Sequence, residues 1–122
     1  MPTAEETLHV VEASLEDDKG EDIVVIDLTG KDSFADYFVI VSGRSDRHVG
    51  ALADHLVEKL KALGHPSVPV EGMERRDWVL LDASDVVVHL FKPEIRVFYN
   101  LEKLWGEDLP SAFERPPAEL IA

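Results

Sequence analysis

No cysteine occurs in the chain. That excludes disulfides, thiolate metal sites and a cysteine nucleophile, and it fits a reducing, cytoplasmic compartment. Long apolar runs are missing too. Ile23 to Leu28 and Val86 to Phe91 are strand-sized, well short of the roughly 18 residues that suggest a membrane span. The N-terminus lacks the basic, then apolar, then small-residue order of a secretory signal. Most informative is the lack of any basic segment. Residues 1–42 hold eleven acids and two bases, residues 43–103 ten acids and nine bases, and residues 104–122 four acids and one base, for a net charge of −13. A protein that grips phosphate backbone directly needs a basic face, so direct nucleic-acid binding is not expected. An acidic field instead favours a positively charged protein partner.

What is present reads as one α/β domain. At 122 residues the chain is long enough for one core but not two. Leu8, Val10, Val11 and Leu15 fall at helical spacing, with Thr3 and Glu6 in capping-box positions. Ile23 to Leu28 and the nearly continuously apolar Tyr37 to Val41 read as strands, the second buried on both faces. Ser45 is placed to cap a helix whose apolar stripe is Val49, Leu52, Ala53, Leu56, Leu60 and Leu63, with Gly64 and Pro66 closing it. Val68 to Val70, Trp78 to Leu81 and Val86 to Phe91 follow as strands. Pro93 then opens a last helix with a core face of Val97, Phe98, Leu101 and Trp105. The order α-β-β-α-β-β-β-α predicts a mixed five-stranded sheet with helices packed on it, a crossover helix after the second strand and a hairpin at the end. The expected domain covers residues 1–105. Residues 106–122, with Pro110, Pro116 and Pro117, read as an extended or disordered tail.

Three constellations invite chemistry. Ser42-Gly43-Arg44-Ser45 joins a strand to a helix, but it lacks both Walker and dinucleotide spacing, so a tight turn explains it better than a phosphate loop. Asp82 and Asp85 raise the possibility of a two-metal nucleotidyl-transfer enzyme. They stand three apart across a turn, where aspartate is favoured for bonding the local backbone. His48 and His55 are seven apart on one helix, not the three or four of helical zinc pairs. They read as surface or partner-facing residues, and His89 as a buried histidine. No metal site, cofactor or catalytic group is therefore expected. A fourth group has the composition of an interface: Asp77 and Trp78 after a charged run, then Lys92, Glu94, Arg96 and Tyr99. On the last helix Arg96 and Tyr99 are expected on the face opposite the core. Trp78 is equally compatible with a core position.

The residues Asp36-Tyr37-Phe38-Val39-Ile40-Val41-Ser42-Gly43, Ser45-Asp46-Arg47-His48-Val49, Ala53-Asp54-His55-Leu56, Val70-Glu71-Gly72, Asp77-Trp78-Val79, Asp85-Val86-Val87-Val88-His89-Leu90-Phe91 and Glu94 through Trp105 run in one order. Together they closely resemble the ribosomal silencing factors, also called the Iojap family. The resemblance spans residues 5 to 105. It implies a fold of nucleotidyltransferase-like topology without that activity, and a homodimer. It also implies binding to the large-subunit ribosomal protein numbered fourteen, which would block joining of the small subunit, repress translation and bear on ribosome biogenesis. Asp77, Trp78, Lys92, Glu94, Arg96 and Tyr99 match the part of the pattern expected to carry that contact. A catalytically active nucleotidyltransferase-like enzyme is the rival reading. Two positions depart from the family pattern: Ser84 stands where a turn glycine is common, and Arg76 where a small residue often precedes Asp-Trp.

Overall fold

In the computed structural model, residues 2–30 and 35–99 are described, with side chains through Arg96. Helix α1 (Ala4–Asp17) begins as its sequence predicts. The Thr3 side chain accepts from the Glu6 amide while the Glu6 carboxylate accepts from the Thr3 amide, at 3.1 and 2.8 Å. Those two hydrogen bonds favour the ionised carboxylate and hold Glu6 below the usual glutamate value. Strands β1 (Glu21–Asp27) and β2 (Tyr37–Ser42) follow. Helix α2 (Asp46–Leu63) is capped by Ser45, which accepts from the His48 amide, and closed by Gly64 at φ 127°. Then come β3 (Val70–Glu71), β4 (Trp78–Ala83), β5 (Val86–Phe91) and α3 (Pro93–Tyr99). The third strand is shorter and later than Val68 to Val70 suggested. Val68 packs into the core from the loop, and only Val70 and Glu71 pair with β4. Residues 100–122, including the expected core positions Leu101 and Trp105 and the tail, lie outside the described residues.

The five strands form one sheet in the order β1-β2-β5-β4-β3. β2 and β5 run parallel and every other neighbour is antiparallel, so the expected mixed sheet, crossover helix and terminal hairpin are all present. Successive strand residues point to opposite faces, and the two apolar clusters divide accordingly. Val39, Val41, Val79, Leu81, Val86, Val88 and Leu90 face α1 and α2, where Val11, Leu15, Leu52, Leu56 and Leu60 meet them. Phe38, Ile40, Trp78, Val87 and Phe91 form the other layer, with Ile95 of α3 against it. Because both faces are apolar, β2 and β5 read as continuous hydrophobic runs rather than alternating ones.

Histidines fasten α1 to α2. The Arg44 amide donates to His48 Nδ1 at 2.9 Å, so the ring's proton sits on Nε2 and is donated to the Asp18 carbonyl at 2.8 Å. His55 Nδ1 lies 2.6 Å from Asp18 Oδ2. Buried His65 meets the Thr7 hydroxyl at 2.8 Å. α1 ends in Asp17 and Asp18 with no base in its last turn, an unfavourable sign at the negative end of a helix. The donors and Lys59 that α2 supplies there offset it. Of the expected surface or partner-facing histidines, His55 is at the surface and His48 half-buried, and both are engaged within the chain.

Candidate functional site

Five of the six residues of the expected interface, Asp77, Trp78, Lys92, Glu94 and Arg96, gather at one end of the sheet, where β4 begins and β5 ends. Register brings them together. The two-residue loop Ser84-Asp85 closes the β4–β5 hairpin with Ala83 opposite Val86, which carries Trp78 opposite Phe91. The Lys92 amide then donates to the Asp77 carbonyl at 3.0 Å, and the Lys92 carbonyl accepts from Ile95 and Arg96 to start α3. Asp77, Lys92 and Glu94 reach the surface there. Asp77 is half-buried and pairs with exposed Arg75 at 3.2 Å, and Lys92 lies 3.7 Å from exposed Glu94. The Lys92–Glu94 pair is open to solvent and stabilises little by itself, so its charges are available to a partner at low cost, whereas Asp77 is mostly covered.

Trp78 and Arg96 are not surface residues. Trp78 is 2% exposed. Its ring packs on Phe91 with centroids 4.9 Å apart, and its Nε1 donates to His89 Nδ1 at 3.2 Å. An indole N–H can only donate, so His89 Nδ1 is the acceptor and this ring too carries its proton on Nε2. Phe38 and Phe91 flank His89, Phe38 edge-on and Phe91 nearly parallel. Arg96 is 7% exposed and donates to the Ser42 hydroxyl at 3.0 Å, tying α3 to the end of β2. The expected solvated face of α3 therefore turns inward at Arg96. Of the six, the structure brings Asp77, Lys92 and Glu94 together at the surface, with Trp78 and Arg96 beneath. Tyr99 closes α3, and its side chain lies outside the described residues. Sequence reasoning missed the aromatic layer of Phe38, His89 and Phe91 beneath the site. Counting outward from the two-residue hairpin loop would have found it.

The geometry that the enzyme reading requires does not form among the described residues. Asp85 precedes Val86, which pairs with Tyr37, whereas Ser42 pairs with Phe91. The aspartates and the glycine loop therefore sit at opposite ends of the sheet, about 16 Å apart for Asp82 and about 23 Å for Asp85 at roughly 3.3 Å per residue. Asp82 Oδ1 accepts from the Ser84 amide at 2.9 Å, and the Asp85 carbonyl accepts from the Asp36 and Tyr37 amides at 2.8 and 3.1 Å. Asp82, near the end of β4, and Asp85, in the loop, both serve the hairpin turn. No group of three or more potential ligands is placed to hold a metal among the described residues. Gly43 serves close packing: a Cβ there would stand 2.7 Å from Val49 Cγ2 and 3.0 Å from Val49 N. Ser84 has φ 66°, the left-handed conformation for which glycine is the easiest choice. The turn geometry is thus kept despite the substitution. Arg76 also has positive φ, 58°; it lies over Gly50 of α2 and donates to the Met73 carbonyl at 3.1 Å.

The chain is similar to known proteins in sequence and in fold. A family model described as ribosomal silencing factor during starvation matches residues 1–120. A ribosomal silencing factor of Zymomonas mobilis is 52% identical over 99 residues, covering 81% of this chain and 74% of that protein. A mouse protein named for mitochondrial assembly of the ribosomal large subunit is 42% identical over 94 residues, covering 75% of this chain and 41% of its own length. Among solved structures, a Chromobacterium violaceum protein superposes with a TM-score of 0.81 at 36% identity, covering 95% of this chain and 92% of that one.

Proposed function

The chain belongs to the ribosomal silencing factor family, and on that premise we propose that it binds the large-subunit ribosomal protein numbered fourteen and sterically blocks association of the two subunits, repressing translation. The observation that carries this reading is the family match across residues 1–120. The mouse relative's name, which concerns the large subunit, supports that choice of subunit. Asp77, Lys92 and Glu94 supply the contact's charges, with Trp78 and Arg96 fixing β4, β5 and α3 beneath them. Tyr99 stays in the proposal as the aromatic anchor on its sequence position. The partner is reached through protein rather than RNA, because no segment of the chain is basic. The net charge of −13 steers encounter with a basic ribosomal protein. The working form is a cytoplasmic protein that is a homodimer when unbound; no described helix is long and apolar enough to cross a membrane.

The test is sedimentation of separated subunits with and without the protein, paired with pull-down of the isolated ribosomal protein. Tyr99→Ala should weaken binding by roughly 2–4 kcal/mol, a factor of tens to hundreds. Lys92→Ala with Glu94→Ala should act mainly on the association rate and its salt dependence. Trp78→Ala is a poor probe, since it empties the core. A joined-ribosome peak that stays undiminished at saturating protein defeats the proposal.

A further inference from the structure

β1 is an edge strand of seven residues, bonded to β2 alone among the described strands. Its centre, Ile23-Val24-Val25-Ile26, is four consecutive β-branched apolar residues, all half-buried. Every second residue of an edge strand directs its N–H and C=O away from the neighbouring strand, which makes the edge a template for further pairing. The usual protections are proline, a central lysine or an inward charge. None occurs in residues 23–26. What protection there is stands at the two ends: a register irregularity with Asp22 at φ 52°, and the acids Glu21, Asp22 and Asp27.

Those acids decide what fits the edge. Because the outward groups alternate, a second copy added antiparallel pairs centred either on Val24 or on Val25. The first register sets each Asp27 against Glu21 of the other chain, and the second sets each Asp27 against Ile23. Like charges directly opposite destabilise the first pairing, and the second sets no opposite charge against Asp27. The field at the Asp27 end is visible in Tyr37, which pairs with Asp27 across the strands. Its hydroxyl is pushed above the usual tyrosine value, first by desolvation and then by the carboxylates of Asp27, Glu5 and Asp36. At the other end Glu21 pairs with Arg44 at 3.0 Å and Asp22 is exposed. An extended segment with an apolar middle and basic flanks meets complementary charge at both ends and apolar side chains between them.

We propose that β1 is a docking edge for an extended, basic-flanked segment of a partner protein, which adds as a sixth strand. Strands β2 and β5 lie between this edge and β4, so the edge and the Asp77–Glu94 surface can each fail without the other. The full chain is titrated with a capped Lys-Lys-Val-Thr-Val-Ile-Lys-Lys peptide, and hydrogen exchange of the β1 amides is followed. The peptide should bind and slow exchange at the outward amides of residues 23–26. The same core flanked by glutamates, or N-methylated at alternate central residues, should bind at least about tenfold more weakly. Equal binding by either control overturns the proposal. Slow exchange of those amides in the free protein also overturns it: if independent of concentration, the chain's own segment covers the edge, and if it grows with concentration, a second copy does.

Discussion

The two edges of the sheet solve one problem in opposite ways. At the far edge β3 is only two residues long, and the chain that follows folds back over β4. Gly72, at φ 91°, lets this happen: a Cβ there would stand 2.3 Å from the Trp78 carbonyl oxygen. The Gly72 carbonyl accepts from the Arg76 amide at 2.9 Å, and the Arg76 guanidinium rests against Gly50 of α2. That edge is kept short, and the loop that ends it is held by close backbone approach to β4 and by a side chain laid on a helix. The β1 edge has seven residues, an apolar centre and acids at its ends. The contrast places the tightest backbone approach on the β4 side, under the candidate interface, and leaves the β1 side guarded only at its ends, by charge and a register irregularity.

The comparison breaks most directly at Gly72. Gly72→Ala adds a Cβ into a backbone oxygen at positive φ, and neither can yield cheaply. A loss of roughly 2–4 kcal/mol in urea unfolding is expected. Gly50→Ala should differ sharply. Its Cβ would first meet the end of the flexible Arg76 side chain, 2.9 Å away, and the helix gains about 1 kcal/mol of propensity. A net change within about 1 kcal/mol is expected, and a loss matching that of Gly72→Ala would show the Arg76 contact to be as rigid as backbone.

A gentler probe uses one substitution on two paired strands. Val25 of β1 and Val39 of β2 are direct neighbours in the register. Val39 is fully buried and Val25 half-buried. Valine to threonine keeps the shape and adds a hydroxyl, so the cost measures how much water that hydroxyl loses. Val39→Thr should cost roughly 1–3 kcal/mol and Val25→Thr less than about 1 kcal/mol. Equal costs in matched thermal melts would mean that the β1 edge is covered.

How far these features could be read from residues alone depends on whether their causes were local. The caps at Thr3, Ser45 and Gly64 are local chemistry, and each stands where its residue type predicts. The mixed sheet followed from element order, a crossover helix and a terminal hairpin, although the strand expected to end at Leu81 runs on to Ala83 and leaves a loop of two residues. Arg96 reads as a surface residue, and Trp78 as either core or surface, because they neighbour charges in sequence, whereas their partners, Ser42 and His89, lie 54 and 11 residues away. The same distance hid the roles of His48 and His55, whose shared partner Asp18 is 30 and 37 residues off. Two apolar faces also remove the alternation that would have separated core from surface on β4. The β1 edge was legible as a strand but not as an edge, since strand order is decided by crossovers and not by the strand's own residues.

The smallest expected effect lies at the open edge itself, in its response to alkali. Tyr37 carries a hydroxyl whose ionisation is disfavoured in the folded protein by desolvation and by Asp27, Glu5 and Asp36. The unfolded chain loses this proton near the ordinary tyrosine value of 10.0, and the folded chain only at higher pH. Above that value the native state binds more protons than the unfolded one, so stability falls as pH rises. The contribution is intact below pH 10.0 and is lost as pH climbs through the raised native value. Tyr37→Phe removes the titrating group and should flatten the decline between the two values, measured by urea unfolding across the alkaline range. Neutralising Asp27 as Asp27→Asn should flatten it only in part, because desolvation outranks the carboxylates as the cause. If Asp27→Asn abolished the decline altogether, charge rather than burial would govern this end of β1. The acidic guard on the open edge would then be stronger than the geometry around Tyr37 implies.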